Sequence, residues 1–361
     1  MAPVIVTMVR HGESTDNTTS LWAGHRDAPL SNHGNSQALR LGKAFVDVPI
    51  TAIYASDLNR ANTTARRVWE ANKERNGGVE VPFTTSPLLR EQFFGEAEGA
   101  AWDAGKYSSA HLPWEDHRAF QLAPHAESLN DVAKRADLVL RHFVVPHVLA
   151  TASVPPGASY PEQHHIMLFA HGIWLSEMLF SLKRAGDPHV RYVKSGGYQN
   201  TAWTRVELEL DDPHAYHALS SSEKGANGAS QPSTNGHFTS PPAPSEATQP
   251  SESTNNSATT LTAEEASSIG MSPDIHALLP RLPAVPARHG SLPPAWPHAG
   301  DPTHPIPKLR HRVVNFAQAD HLEGLKRTGR GVGSAAHDEK QRGLKEFFSG
   351  GGRSSPKKAA S

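Results

Sequence analysis

Apolar and polar positions divide the first 211 residues into short and long segments. Three short, nearly continuous apolar runs at 4–9, 51–55 and 166–170 have the length and composition of strands buried on both faces of a parallel sheet. Longer segments between these runs place apolar residues at helical spacing. They predict helices near 32–46, 57–75, 127–150 and 172–184. Strands that alternate with helices in this way indicate a layered α/β fold.

The pattern changes near residue 212. Just before it, residues 201–210 alternate apolar and polar side chains toward their end, as a half-exposed edge strand would. From 217 to 295 the chain is rich in Ser, Thr, Pro, Asn and Gly and contains one aromatic residue, Phe238. Such a segment buries too little apolar surface to offset the entropy of ordering, which predicts disorder. We therefore expect a compact domain at 1–211, a disordered linker at 212–305 and a basic tail with short docking segments at 306–361.

Composition narrows the class of protein. The chain has no cysteine, which excludes disulfides, thiolate metal ligands and cysteine nucleophiles. Its formal net charge is −1, although twelve Lys and Arg against five Asp and Glu make residues 306–361 basic. No secretory leader is visible at the start, and no apolar run approaches the ~20 residues that span a bilayer. We therefore expect a soluble protein of the cytoplasm, with the nucleus as a second compartment.

Polar side chains follow each of the three predicted buried strands. Arg10 and His11 follow the first strand, Arg60 stands about one helical turn after the second, and His171 follows the third. Ligands of open α/β sheets bind beyond these carboxyl ends. If the strands are neighbours, two histidines and two arginines share one pocket, and planar cationic donors suit a phosphoryl group. In such a pocket a neutral imidazole attacks phosphorus while a carboxylic acid protonates the leaving oxygen.

The residues around these positions resemble the signature of the histidine phosphatase superfamily, which includes the cofactor-dependent phosphoglycerate mutases. The resemblance runs through five segments in family order over about 1–210. They read Arg-His-Gly-Glu-Ser-Thr-Asp-Asn at 10–17, Gly-His-Arg-Asp-Ala-Pro-Leu-Ser at 24–31, Ser-Asp-Leu-Asn-Arg-Ala at 56–61, Leu-Arg-Glu-Gln-Phe-Phe-Gly at 89–95 and Ala-His-Gly at 170–172. One such tripeptide alone is weak, whereas five ordered motifs are specific. The whole chain is similar to fungal members with long C-terminal extensions.

The resemblance implies a phosphoglycerate mutase-like, three-layer α/β fold, with a mostly parallel sheet flanked by helices and followed by a largely disordered tail. It implies His11 as the nucleophile that carries a phosphohistidine and Glu91 as the proton donor. The implied phosphate-binding positions are Arg10, Arg60, His171, Asn17, Ala23 and Gly24. The family uses no metal, and we expect neither a metal nor another cofactor here.

Three of these residues also have a plain structural interpretation. His11 would then be a loop histidine at the start of a helix, and Glu91 a surface carboxylate beside Arg90. Asn17 would satisfy the backbone of a turn, as a polar residue after Ser-Thr-Asp often does. The ordered motifs favour catalysis for His11 and Glu91, whereas Asn17 stays open between the two roles.

The sequence favours hydrolysis over phosphoryl transfer between substrates. A mutase must hold a bisphosphate, and in the glycolytic mutases a Lys and an Arg-Arg pair follow the acid motif. This chain has Lys106 in that region, but residues 114–118 read Trp-Glu-Asp-His-Arg without paired arginines. We therefore expect a metal-independent phosphomonoester hydrolase that acts on a phosphorylated small molecule or a phosphoprotein. Phosphoglycerate mutase-type transfer is the alternative activity.

A separate motif lies in the predicted tail. Gln341, Leu344, Phe347 and Phe348 match the box by which partners bind the replication sliding clamp, where one short helical turn presents the apolar side chains to a pocket. The same side chains can instead dock on the catalytic domain or belong to an unrelated amphipathic helix. The motif thus adds a third hypothesis, a catalytically weak phosphatase fold that serves as a binding or scaffold protein recruited through its tail.

Overall fold

The structure is a computed structural model that describes most of the first 212 residues and two later segments. The described residues are 3–75, 77–78, 80–102, 106–107, 112–113, 116–152, 164–191, 197–212, 298–301, 303–327 and 332–338. Most of the predicted linker lies outside these ranges.

A six-stranded sheet forms the centre of the molecule. In chain order its strands are β1 (Val4–Arg10), β2 (Ala52–Ser56), β3 (Phe83–Ser86), β4 (His165–Ala170), β5 (Trp203–Leu210) and β6 (Leu309–Gln318). Their order across the sheet is β3-β2-β4-β1-β5-β6. The first four strands are parallel to their neighbours among themselves, whereas β5 runs antiparallel to β1 and β6 antiparallel to β5. The predicted α/β class with a mostly parallel sheet is confirmed.

Helices cover both faces of the sheet, which gives three layers. They are α1 (Thr15–Thr18), α2 (Asn32–Ala44), α3 (Asn59–Arg75), α4 (Leu129–Val139), α5 (Val145–Ala152) and α6 (Gly172–Gly186), with a π-helical turn at Leu140–Val144. On one face, α2 and α3 pack against Val9 and Phe169, and on the other, α4, α5 and α6 pack against Met8 and Leu168. Successive strand side chains point to opposite faces, which is why these strands are apolar at nearly every position.

The antiparallel part of the sheet differs from the prediction. Side chains of β5 alternate between half-buried and buried, but β5 is not an edge strand, because β6 pairs with it along its length. β6 lies within 306–361, which sequence analysis assigns to a tail separate from the domain at 1–211. Of its ten residues only Leu309 is buried, so the strand has no apolar alternation by which to recognise it. The central sheet therefore extends beyond residue 211.

Candidate active site

Three neighbouring parallel strands bring the candidate residues together. β2, β4 and β1 lie side by side, so their carboxyl ends meet at one edge of the sheet. His11 follows β1, His171 follows β4, and Arg60 lies in the first turn of α3. The ring centroids of the two histidines are 5.0 Å apart, and the Arg60 Nε lies 3.3 Å from the His171 Nδ1. All three side chains are buried, so their interactions with a ligand are weakly screened by solvent.

The His11 imidazole is a neutral ring held in one tautomer. Its Nδ1 lies 2.6 Å from the Gly12 carbonyl oxygen, and because a carbonyl only accepts hydrogen bonds, Nδ1 carries the proton and Nε2 the lone pair. Burial lowers the pKa of His11 well below its usual value, and the Arg60 and Arg10 cations lower it further. At neutral pH the ring therefore presents an unprotonated Nε2, the form that a nucleophile requires.

Two glycines let the loop that carries His11 approach helix α2. A Cβ on Gly12 would lie 2.6 Å from the Gly34 carbonyl oxygen, and a Cβ on Gly34 would lie 2.0 Å from the Glu13 carbonyl oxygen. The Gly12 N–H also donates to the Thr64 Oγ1 at 3.0 Å, which ties the loop to α3. This close packing fixes the backbone from which the imidazole projects.

Backbone carbonyls orient the Arg60 guanidinium. Its Nη1 donates to the Arg26 oxygen at 2.6 Å, and its Nη2 donates to the Gly24 oxygen at 2.7 Å. Burial lowers the pKa of Arg60 to about 10, against the opposing effect of Glu91 and other carboxylates, so the group stays charged at neutral pH. Gly24 has a φ of +46°, a left-handed conformation that favours glycine. Of the two predicted backbone ligands, Gly24 thus holds Arg60, and Ala23 accepts from the Arg26 N–H at 2.8 Å.

Arg10 is a half-buried cation with an unused donor. Its Nη1 donates to the Tyr198 carbonyl, whereas its buried Nε has no hydrogen-bond partner within the described ranges. Burial lowers the pKa of Arg10, and the Glu91 carboxylate opposes that shift. A Cβ on Gly172 would lie 3.9 Å from both the Arg10 Nε and the Glu91 Oε2, so cation and carboxylate face the same small space. An anionic oxygen there would satisfy the Nε–H, which fits a phosphoryl group.

His171 is the second neutral imidazole of the site. The Arg60 Nε can only donate, so the His171 Nδ1 accepts, and the His171 Nε2 carries the proton toward the Ser56 Oγ at 3.0 Å. Burial lowers the pKa of His171 well below its usual value, and the nearby Arg60 and His11 add to the effect. Positive charge in the pocket is therefore concentrated on the arginines.

Glu91 lies at the N-terminus of α6. Its Oε2 accepts from the Ile173 N–H at 3.2 Å, and its Oε1 accepts from the N–H groups of Trp174 and Gln92 at 3.1 and 3.0 Å. His171 precedes the helix without a side-chain capping bond, so Glu91 caps α6 from another segment. The three N–H donors, two of them at the start of the helix, fix the orientation of the carboxylate, whose Oε2 faces the same small space as the Arg10 Nε.

A buried ion pair that sequence analysis did not single out fixes the segment around Glu91. Arg135, fully buried on α4, donates to the carbonyls of Leu88, Arg90 and Glu91 at 3.1, 2.7 and 3.0 Å. It also pairs with both carboxylate oxygens of Glu127 at 2.8 and 2.7 Å. The sequence does contain a signal for this pair, because Arg135 stands on the apolar face of a predicted helix. An arginine buried there requires a carboxylate and backbone carbonyls as partners.

Asn17 stabilises the turn that follows the His11 loop. Its Oδ1 accepts from the Ser14 N–H at 3.1 Å, and the Ser14 hydroxyl accepts from the Asn17 N–H at 3.3 Å, a reciprocal cap of α1. Asn200, which no sequence motif marks, donates to the Asn17 Oδ1 at 3.3 Å and to the His11 carbonyl at 3.1 Å. The turn interpretation thus accounts for the Asn17 oxygen, and a phosphate contact through its Nδ2 stays a prediction.

Two cations in the region after Glu91 have partners of their own. Arg118 donates to both carboxylate oxygens of the fully buried Glu177 at 3.2 and 2.8 Å. Lys106 is exposed, with its Nζ 4.8 Å from the centre of the Tyr107 ring. The Arg118–Glu177 ion pair therefore joins this region to α6, whereas Lys106 lies in solvent.

The part of the chain that the structure describes contains no group of three or more His, Cys, Asp or Glu side chains that would hold a metal ion. Across the same ranges, the helices are too short or too polar to cross a bilayer. The tail motif of Gln341, Leu344, Phe347 and Phe348 lies outside them, and clamp binding stays a prediction.

Comparison with known proteins identifies relatives of the N-terminal part of the chain. Residues 6–218 match the model of the histidine phosphatase superfamily, branch 1. A 2,3-bisphosphoglycerate-dependent phosphoglycerate mutase 2 from Gloeobacter violaceus is 29% identical over 195 residues, 53% of this chain and 80% of the relative. Fructose-2,6-bisphosphatase TIGAR B from Danio rerio is 32% identical over 166 residues, 45% of this chain and 63% of the relative. A solved structure of a mycobacterial glucosyl-3-phosphoglycerate phosphatase is 28% identical with a TM-score of 0.45, covering 58% of this chain and 93% of that one.

Proposed function

The chain belongs to branch 1 of the histidine phosphatase superfamily, and on that basis we propose that it is a metal-independent phosphomonoester hydrolase. His11 is the nucleophile, Glu91 moves the proton, and the phosphoryl oxygens are bound by Arg10, Arg60 and His171. The observation that carries this proposal is the neutral His11 ring. Its Nδ1 hydrogen-bonds to the Gly12 carbonyl oxygen, and the nearby Arg60 and Arg10 charges help to lower its pKa.

In the first step the His11 Nε2 lone pair attacks phosphorus and the bond to the ester oxygen breaks. The leaving oxygen takes a proton from the carboxylic acid form of Glu91, so an alcohol departs and a phosphohistidine remains. Arg10 and Arg60 neutralise the charge that spreads over the equatorial oxygens, and they act strongly because Arg60 and the Arg10 Nε are buried.

In the second step water attacks the phosphohistidine. Glu91 is now a carboxylate, and it accepts a proton from the water as the phosphorus–nitrogen bond breaks and returns its electron pair to the His11 Nε2. The three N–H groups that bind the Glu91 carboxyl group keep it in one position for both proton transfers. Phosphate leaves, and both side chains regain their starting protonation states.

The arginine in the region after Glu91 favours hydrolysis over mutase-type transfer, because it already has a carboxylate partner. A mutase needs cations that retain the second phosphate of a bisphosphate. Arg118 is instead bound bidentately by Glu177, so its charge is already compensated. Curated relatives include both mutases and phosphatases, and their names refer to phosphorylated small molecules. We accordingly place the substrate of this chain in that class, ahead of a phosphoprotein.

The decisive experiment combines turnover with detection of the intermediate. The purified full-length chain should release phosphate from p-nitrophenyl phosphate in the presence of EDTA. With a ³²P-labelled phosphometabolite it should acquire an acid-labile phosphoryl group. The His11→Asn variant should lose turnover by a factor of about 10³ or more and carry no label. Unimpaired turnover of His11→Asn, or the absence of label and phosphate release across a panel of phosphometabolites, would overturn the proposal.

The same assay separates hydrolysis from transfer. With 3-phosphoglycerate and catalytic 2,3-bisphosphoglycerate, a hydrolase should release inorganic phosphate, whereas a mutase should form 2-phosphoglycerate at a higher rate than it releases phosphate. The Arg118→Ala variant sharpens the test. If Arg118 is a structural partner of Glu177, the ratio of released phosphate to isomerised product should not change.

A further inference from the structure

The C-terminal strap, here defined as residues 309–327 and 332–338, has contacts from the outer edge of the sheet to the loop that carries His11. Its first part is β6, which pairs with β5. A single 3₁₀ turn follows at Asp320–Leu322, and the last described segment, 332–338, reaches the start of α2. The match to the superfamily model ends at residue 218, so the strap lies beyond the part of the chain that defines the family.

The strap first contacts the site through His321. The His321 Nε2 lies 2.9 Å from the Thr201 Oγ1, which itself donates to the Asn200 carbonyl at 2.7 Å. His321 is therefore the donor to Thr201, and burial, which lowers the pKa of His321 to about 4, keeps the ring neutral. The Thr201 N–H donates in turn to the carbonyls of Arg10 and His11 at 3.1 and 3.2 Å. One buried threonine thus connects the strap with the backbone of the nucleophile.

The second contact is an ion pair with the residue that follows Gly12. The Arg327 Nη2 lies 2.9 Å from the Glu13 Oε2, and the Glu13 side chain is only 8% exposed. The other carboxylate oxygen, Oε1, accepts from the Ser31 hydroxyl at 2.8 Å. A buried carboxylate is costly without compensation, so Arg327 and Ser31 together hold Glu13, and with it the loop, against α2.

The third contact is a pair of isolated antiparallel bridges on either side of segment 30–32, Ser14 with Leu30 and Ser31 with Ala336. The Ser31 N–H donates to the Glu13 carbonyl at 2.8 Å, on the side of the His11 loop. On the strap side, the Asn32 N–H donates to the Ala335 carbonyl at 3.0 Å, and the His337 N–H donates to the Leu30 carbonyl at 2.9 Å. Segment 30–32 is therefore bound on both edges, by the loop and by the strap.

We propose that the far end of the strap, beyond β6, is a working part of the active site, with Arg327 and His321 as positioning residues for the His11 loop. Its contacts reach both sides of His11, through Thr201 on one side and Glu13 on the other. Detachment of the strap loosens the loop, so turnover depends on whether the strap is docked. This inference rests on the proposed function for its effect on turnover, but not for its effect on the loop.

The test compares Arg327→Ala with a matched control on the same strap. The control is Arg312→Ala, because Arg312 also pairs with one carboxylate, Glu207, at 2.5 and 2.9 Å, but on β6. Arg327→Ala should lower kcat for p-nitrophenyl phosphate about 5-fold with little change in KM, the size expected for a partly exposed ion pair. Arg327→Lys should recover part of the loss. Hydrogen exchange of the peptide that spans 11–17 should accelerate in Arg327→Ala and not in Arg312→Ala.

The two readouts separate the two proposals. If the unmodified chain releases no phosphate, the proposed function fails, and exchange at 11–17 still decides whether the strap holds the loop. If Arg327→Ala and the double variant with His321→Ala match Arg312→Ala in both kcat and exchange, the strap inference is wrong and the proposed function stands. A loss of kcat without faster exchange at 11–17 would also overturn the positioning role.

Discussion

The parallel and antiparallel halves of the sheet differ in burial and in what they contribute. Every residue of β4 in the parallel half is buried, whereas β6 in the antiparallel half buries only Leu309. The ends of β1, β2 and β4 lead to the residues proposed for chemistry. The antiparallel half leads instead to Thr201 and to the strap, which hold the His11 loop from outside. The residues proposed for chemistry therefore follow buried strands, whereas Thr201 and the strap, which contact the His11 loop, belong to the more exposed half of the sheet.

If buried polar pairs stabilise the parallel half, Arg135→Met should cause the largest loss of unfolding free energy. The substitution leaves Glu127 buried without its cation, and removing one partner of a buried pair costs about 3–5 kcal/mol. The carbonyls of Leu88, Arg90 and Glu91 lose a donor at the same time. We expect this loss of unfolding free energy in urea titration and a lower kcat in the folded fraction. Full stability in the single variant would show that Glu127 finds another partner, and Glu127→Leu in the same background should restore part of the loss.

Arg60→Met tests the cationic side of the same half. Removal of one preorganised donor to transition-state charge typically lowers kcat by a factor of about 10²–10³, and the Arg60 guanidinium is fixed by two carbonyls. The measurement is kcat on p-nitrophenyl phosphate, with Arg60→Lys as the control that retains charge but not the planar fork. We expect Arg60→Lys to lie between the unmodified chain and Arg60→Met. An Arg60→Met variant within about threefold of the unmodified chain would remove Arg60 from the phosphate pocket.

Buried histidines should make the parallel half sensitive to acid. Burial lowers the pKa of His147 and of His165 to about 3 each, and the His147 ring is enclosed between Tyr54 and His164 at 2.8 and 3.0 Å. The unfolded chain binds protons below about pH 6.5 while the folded chain does not, so stability is complete above pH 6.5 and falls as the pH drops toward 3. One such histidine accounts for about 2 kcal/mol between pH 6.5 and 5.

The matched measurement is the pH dependence of the unfolding free energy with and without one of these rings. His147→Gln removes one titrating group, so the difference between the two curves isolates it from the carboxylates. The variant should lose less stability than the unmodified chain between pH 6.5 and 5. Parallel curves would show that His147 is not neutral in the folded state at the lower pH.

The smallest effect is expected in the antiparallel half. Arg312→Ala removes a cation that is exposed and pairs with Glu207 across β5 and β6, and exposed pairs of this kind contribute about 0–1 kcal/mol. Unfolding free energy should change by no more than that, and kcat should stay the same. A larger loss would mean that the β5–β6 ladder, and not only the far end of the strap, supports the site.

The contrast also explains how far the sequence predicts the structure. Three of the four parallel strands, β1, β2 and β4, follow from apolar runs, and α2, α3 and α6 follow from helical spacing. Strand β3 was not predicted, and the helix predicted at 127–150 is divided by the π-helical turn at Leu140–Val144. The convergence of His11, Arg60 and His171 follows from their place after strand ends. Strand β6 and its contacts do not, because its side chains are mostly exposed and a long segment separates it from its partner β5. Arg135 and Thr201 were missed for a related reason: their roles depend on backbone groups that fold next to them, and no local pattern marks such partners.

The order of the strands along the chain has a consequence for biosynthesis. His11 follows β1, whereas Arg327 and the segment at 335–337 are synthesised more than 300 residues later. β1 lies between β4 and β5 in the sheet, so it has no neighbour until much of the chain has been made. A nascent chain therefore carries His11 before the strap residues that contact its loop have been made, so the strap cannot hold the loop until those residues emerge.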